Sequence, residues 1–112
     1  MASLEEKIAT NLRKGVLEYC VLAILRNGRR YGLDLAKELH HSALIGGEGT
    51  LYPLLSRLRN AGLVDAEWIT SQPDRPRRYY TLTAAGNDYL ASFHTVWASL
   101  SETVNELLKD PS

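Results

Sequence analysis

The sequence predicts a mainly α-helical chain with a small β-hairpin: a winged helix-turn-helix followed by a long C-terminal dimerisation helix. Three observations carry that prediction. Amphipathic stretches separated by short turns fill residues 16–60, and two alternating segments flank a proline-rich turn at 63–82. From 84 onward an apolar repeat of spacing three and four runs almost to the end. At 112 residues the chain is long enough for one core and not two. We expect residues 1–83 to form the winged unit, with an N-terminal helix over 3–14 that also serves dimer packing, and residues 84–110 to form the dimerisation helix.

Ser3-Leu-Glu-Glu6 reads as a capping box, in which hydroxyl and carboxylate each satisfy a free amide at a helix start. Leu4, Ile8 and Leu12 follow at spacing four. They make a narrow apolar stripe with no obvious partner in the first half of the chain, and Gly15 marks a bend. Val16, Leu17, Cys20, Val21, Ile24 and Leu25 have the periodicity of a core helix, ended by Asn27-Gly28. A second helix runs from about Tyr31 to His41 with Leu35, Ala36 and Leu39 inward, and Ser42 to Gly47 form a turn.

The third helix occupies the stretch from Glu48 to Gly62. Leu51, Leu54, Leu55 and Leu58 fall within an arc of about 100° when placed on a helix. Tyr52, Pro53, Ser56 and Asn60 fall opposite, with Arg57 and Arg59 at the flanks. Proline is tolerated only in a first turn, which places the start between Gly47 and Thr50. The product is a short helix, apolar behind and polar, aromatic and cationic in front. Amide, hydroxyl and guanidinium groups on such a face suit the major groove of DNA, where they meet base edges and phosphates.

Leu63 to Ile69 alternates as a half-buried strand with Val64, Ala66 and Trp68 inward. Thr70 to Arg77 is a turn, since Pro73 and Pro76 lack amide donors, and Arg78 to Leu82 is the returning strand. The tip of this hairpin carries Arg75, Arg77 and Arg78, placed to approach phosphates or a narrow minor groove. Thr83 is a good N-cap for the last helix, which extends to about Lys109 before Asp110-Pro111. Along it Leu90, Phe93, Trp97, Leu100, Val104 and Leu107 form an a/d seam. A helix of about 38 Å outruns a core built from the first 83 residues. Its seam therefore predicts pairing with a second copy, together with the Leu4, Ile8 and Leu12 stripe.

Charge agrees with this division. Lysines and arginines balance aspartates and glutamates at 13 each, which argues against a generic polyanion binder. Residues 26–83 nevertheless hold nine basic and six acidic side chains, and residues 84–112 hold one and four. A basic centre beside an acidic tail fits a DNA reader joined to an assembly element. No apolar run approaches the ~20 residues of a membrane span, and the start is no signal peptide. The lone Cys20 forms no intrachain disulfide; it points to a reducing cytoplasm and is expected to be a buried, inert thiol.

Taken together, several stretches resemble the PadR family of bacterial transcriptional regulators. They are Leu12-Arg-Lys-Gly-Val-Leu-Glu18, Tyr31-Gly32, Gly49-Thr-Leu-Tyr-Pro-Leu-Leu-Ser-Arg-Leu58, and Pro76-Arg-Arg-Tyr-Tyr-Thr-Leu-Thr83 with Gly86. The single C-terminal helix is similar to the short subfamily, which dimerises through that helix and the N-terminal one. Where the family often has Gly-Arg-Pro-Arg in the wing, this chain has Asp74-Arg75-Pro76-Arg77. The resemblance implies a homodimeric repressor on an inverted-repeat operator in double-stranded DNA. It implies DNA contacts from Tyr31, Thr50, Tyr52, Pro53, Ser56, Arg57, Arg77 and Arg78. It also implies that Trp97, with Phe93 one turn before it, sandwiches a planar hydrophobic molecule across the dimer axis; plain packing of Trp97 in the seam is the other reading.

Two further function classes are weighed. A metal-responsive regulator would use His40, His41, Cys20 or His94, but adjacent histidines on a helix point about 100° apart and rarely chelate one ion. A winged-helix interaction module would leave the polar front of the third helix unexplained. No phosphate loop, paired carboxylates or nucleophile with a base is present, so no enzyme, metal site or cofactor is expected.

Overall fold

The computed structural model describes residues 3–42, 44–45, 48–70 and 76–111. Helix α1 spans Leu4–Arg26, β1 Arg30–Tyr31, α2 Gly32–His41, α3 Leu51–Asn60, β2 Val64–Ile69, β3 Arg77–Leu82 and α4 Ala84–Leu108. A short 3-10 turn over Glu48–Thr50 leads into α3. The capping box at Ser3 is formed, with the Ser3 hydroxyl accepting from the Glu6 amide.

The first departure from expectation lies in α1. Instead of a helix over 3–14, a bend at Gly15 and a second helix, the chain runs unbroken for 23 residues. Glycine costs a helix interior about 1 kcal/mol. Here a capped start and the buried Leu17, Val21, Leu22 and Leu25 hold both sides of it in register. Leu22 is fully buried and was absent from the expected core stripe, whereas Val16, Cys20 and Ile24 are only half-buried.

The core gathers these side chains with Leu35, Ala36 and Leu39 of α2, the four leucines of α3, Ile45, Val64, Tyr80 and Leu90. The sheet has three antiparallel strands in the order β1-β3-β2. Its third strand was not foreseen: Arg30 pairs with Tyr80 and Tyr31 with Tyr79. In the hairpin, Val64 opposes Leu82, Ala66 opposes Tyr80 and Trp68 opposes Arg78. One face of the sheet thus carries Val64, Ala66, Trp68, Leu82, Tyr80 and Arg78. Burial fades along that face as the strands leave the core, so Trp68, expected inward, is 63% exposed.

Helix α4 is joined tightly to the corner after α3. Gly62, at φ 77°, reverses the chain, and the Thr83 hydroxyl donates to the Gly62 carbonyl at 2.7 Å. The same hydroxyl accepts the Gly86 amide at 2.9 Å, capping α4. At Gly86 the helix passes so close that a Cβ would overlap the Leu63 carbonyl oxygen and the Leu82 side chain. Leu90 packs into the chain's own core and Phe93 against it, so the first two seam positions serve the intrachain interior rather than an exposed face. Beyond them α4 projects freely, and the molecule measures 65 × 37 × 21 Å.

Candidate nucleic-acid interface

Helix α3 is anchored by its apolar stripe: Leu51, Leu54, Leu55 and Leu58 are all buried. Tyr52, Pro53, Ser56, Arg57 and Asn60 are exposed along the opposite side, with Thr50 exposed at the N-cap. Pro53 is the third residue of α3, where its missing amide proton has no intrahelical acceptor to satisfy. Gly32, at the head of α2, lies against this tyrosine: a Cβ there would stand 3.4 Å from the Tyr52 ring, in ordinary van der Waals contact.

Tyr31 sits immediately before α2, on the outer face of the sheet. There the rings of Tyr31 and Tyr79 lie 5.9 Å apart, with the Arg77 guanidinium 4.6 Å over Tyr31 and that of Arg29 4.9 Å over Tyr79. The four side chains form a row in which two neighbouring tyrosines carry a guanidinium at each end, each cation–aromatic contact of the kind worth ~0.5–1 kcal/mol at an exposed site. Arg29 escaped the sequence reading, which took up only Tyr31 from the basic-aromatic run Arg29-Arg30-Tyr31. Arg30 turns instead to Glu38 at 2.8 Å, tying β1 to α2.

Of the wing arginines, Arg78 stands differently from expectation. Arg75 lies outside the described residues. Arg78 belongs to β3 and not to the tip: its guanidinium lies over Trp68 at 5.7 Å and Tyr80 at 5.9 Å, and its Nε is buried without a hydrogen-bond partner. The alternation of the strand sends Arg77 to the outer face and Arg78 to the inner one.

A cleft of about 470 Å³ separates α1 from α3, with Arg13, Lys14 and Glu18 on one wall and Thr50, Pro53 and Arg57 on the other. Arg57 Nη2 reaches Glu18 Oε2 at 3.4 Å. The second oxygen of Glu18 accepts the Tyr89 hydroxyl at 3.2 Å, and Tyr19 lies 3.3 Å from the same hydroxyl. The rings continue the connection. Tyr19 stacks on Tyr89 at 5.5 Å and on Phe93 at 4.0 Å, and Phe93 on Trp97 at 5.8 Å. Glu18, Tyr19 and Tyr89 were missed from the sequence because their spacing, 70 residues or more, encodes no pattern.

The remaining apolar side chains are uncovered. Leu4, Ile8 and Leu12 on α1 are more than half exposed, and Trp97, Leu100, Val104 and Leu107 on α4 are 44–79% exposed, with Val96 and Leu108 beside them. Burial pushes the Cys20 thiol up, away from the reactive thiolate. Among the described residues no three His, Cys, Asp or Glu side chains come together as metal ligands, and no helix is long and apolar enough to cross a membrane.

Comparison with known proteins agrees with this geometry. Residues 21–92 match the model of the transcriptional regulator PadR-like family. The chain is 42% identical to a PadR-like transcription factor from Bacteroides fragilis, with a TM-score of 0.75 and coverage of 90% and 98% of the two chains. It is 34% identical to a PadR family transcriptional regulator from Eggerthella lenta, with a TM-score of 0.83 over 94% and 92%. A PadR-like regulator from Bacillus cereus shares 35% identity, with a TM-score of 0.79 over 90% and 99%.

Proposed function

The chain belongs to the PadR-like family, whose members are DNA-binding transcriptional regulators and not enzymes, and we propose that it acts as a homodimeric repressor on an inverted-repeat operator. The observation that carries this reading is the division of α3 into four buried leucines and an uncovered face of Tyr52, Pro53, Ser56, Arg57 and Asn60. That face enters the major groove and reads base edges, Thr50 and Tyr31 hold the backbone beside it, and the Arg77 and Arg29 row approaches phosphates.

The second subunit meets the first through α4 and the head of α1. Exposed large side chains on both helices support this, since fully burying each one contributes ~1.5–3 kcal/mol. Trp97 is exposed on α4 with Phe93 and then Tyr19 stacked behind it, which supports a ring cluster beside the contact of two copies of α4. A planar hydrophobic molecule intercalated among these rings is the effector, and its binding releases the operator.

The test is a footprint on the promoter region of the chain's own operon, followed by titration against salt. Two protected half-sites one helical turn, about 34 Å, apart are expected. Affinity should fall steeply with ionic strength as phosphates regain counterions. A single unsymmetrical contact, or affinity indifferent to salt, refutes the proposal.

A further inference from the structure

We propose that Glu18 and Tyr89 position Arg57, tying the orientation of this guanidinium on α3 to the aromatic stack on α4. The inference rests on the reading of α3 as the helix that contacts DNA. Each oxygen of the Glu18 carboxylate has its own partner: Oε2 faces Arg57 at 3.4 Å and Oε1 accepts from Tyr89 at 3.2 Å. The Glu18 side chain is 23% exposed and that of Arg57 67%. The carboxylate thus stands behind the guanidinium, engages one of its nitrogens and leaves the rest of the planar fork turned outward.

An unsupported arginine loses much rotamer freedom when it binds. A carboxylate fixing one side of the guanidinium in advance removes part of that loss. The benefit is unequal between acceptors. A bidentate contact to a guanine edge needs one plane and one direction, whereas a phosphate accepts a guanidinium from many. Positioning by Glu18 therefore raises discrimination between sequences more than total affinity for DNA.

Tyr89 makes the support conditional. Its hydroxyl is pushed up to about 12 by the hydrogen bond with Tyr19, by desolvation and by the Glu18 charge, so it remains a donor at every working pH. Its ring rests on Tyr19, which rests on Phe93 and then Trp97. Re-stacking of Tyr19 draws the Tyr89 hydroxyl from the carboxylate, and Arg57 loses its fixed backing. The state of the α4 stack is thereby read out at α3 through side chains of three helices.

The test is a double-mutant cycle in the full chain. Binding to the footprinted operator and to a scrambled duplex of equal length is measured for the unaltered chain, Tyr89→Phe, Arg57→Ala and the pair. Tyr89→Phe keeps ring and charge and removes one hydroxyl from a partly exposed position. It should lower the specific-to-nonspecific ratio three- to tenfold, leave the salt slope unchanged, and have no effect once Arg57 is alanine. Glu18→Gln should lower the same ratio while nonspecific binding holds or rises, since a negative charge is removed; a general electrostatic role would raise both affinities together. No change with Tyr89→Phe, or an equal change in both backgrounds, overturns the inference and leaves the DNA reading intact. An unchanged ratio with Arg57→Ala removes Arg57 from the interface, and this inference falls with it.

Discussion

Leu100→Asp tests the proposed assembly, on which two-site DNA recognition would depend. In the single chain Leu100 is 54% exposed, leaving about half of its side chain for a partner to cover. Full burial of leucine is worth ~1.5–3 kcal/mol, so the exposed half represents about 1 kcal/mol per copy. An aspartate in its place brings a carboxylate between Val96 and Val104, one turn to either side, which offer it no donor. An uncompensated buried polar group costs about 2–3 kcal/mol. Two copies per dimer bring the total to about 6–8 kcal/mol, a rise in dissociation constant of ~10⁴–10⁶-fold. Sedimentation velocity at micromolar protein should show monomer, with the helical circular dichroism retained because Leu100 lies outside the core. Operator binding should vanish with the dimer, each subunit reading one half-site. A variant still sedimenting as a dimer would show that the α4 seam is not where the copies meet.

Two glycines in helices should respond in opposite senses. Gly15→Ala meets open space inside α1 and should stabilise the chain by about 0.5–1 kcal/mol in urea unfolding; a loss would mean that the helix bends there after all. Gly86→Ala should cost about 3 kcal/mol, because its Cβ overlaps main chain at Leu63, and near-neutral behaviour would contradict the close approach. Thr83→Ala removes both hydroxyl contacts at the root of α4 and should lower stability by about 1 kcal/mol, measured as a drop in Tm of about 4 °C. Planar cationic dyes should quench Trp97 fluorescence, with Trp68→Phe as background to isolate the signal; absence of quenching by any dye would leave Trp97 as packing.

The elements whose periodicity is local were legible in the amino-acid order. The leucines of α3, the cap at Thr83, the hairpin and the length of α4 all follow from spacing within one element. The two-residue β1 was not, because so short a strand has no period and exists only through its pairing with β3. Gly15 misled for a related reason: propensity marks it as a weak point, while burial of Leu17 through Leu25 holds the helix straight. Trp68 and Arg78 show the limit of alternation, which fixes the face of a strand but not how far the core extends beneath it. At the interface, α3 was visible as an amphipathic pattern. The carboxylate behind Arg57 and the tyrosines behind that carboxylate arise from the crossing of α1, α3 and α4, which no spacing records.

The joint at Gly62, Thr83 and Gly86 has a mechanical consequence. A hydroxyl bridges both chain segments and there is no room for even a methyl group, which stiffens the joint between the grooved end of the molecule and its tail. Each subunit then moves as a rigid arm. Tilting a rod the length of α4, about 37 Å, by 5° carries its end by ~3 Å, a sizeable fraction of the rise between neighbouring base pairs. In the proposed homodimer, a pair of such arms crossed at their tails would behave as calipers: the jaws would be set by the angle at the pivot, and a small wedge there would be enough to spoil their fit to the duplex.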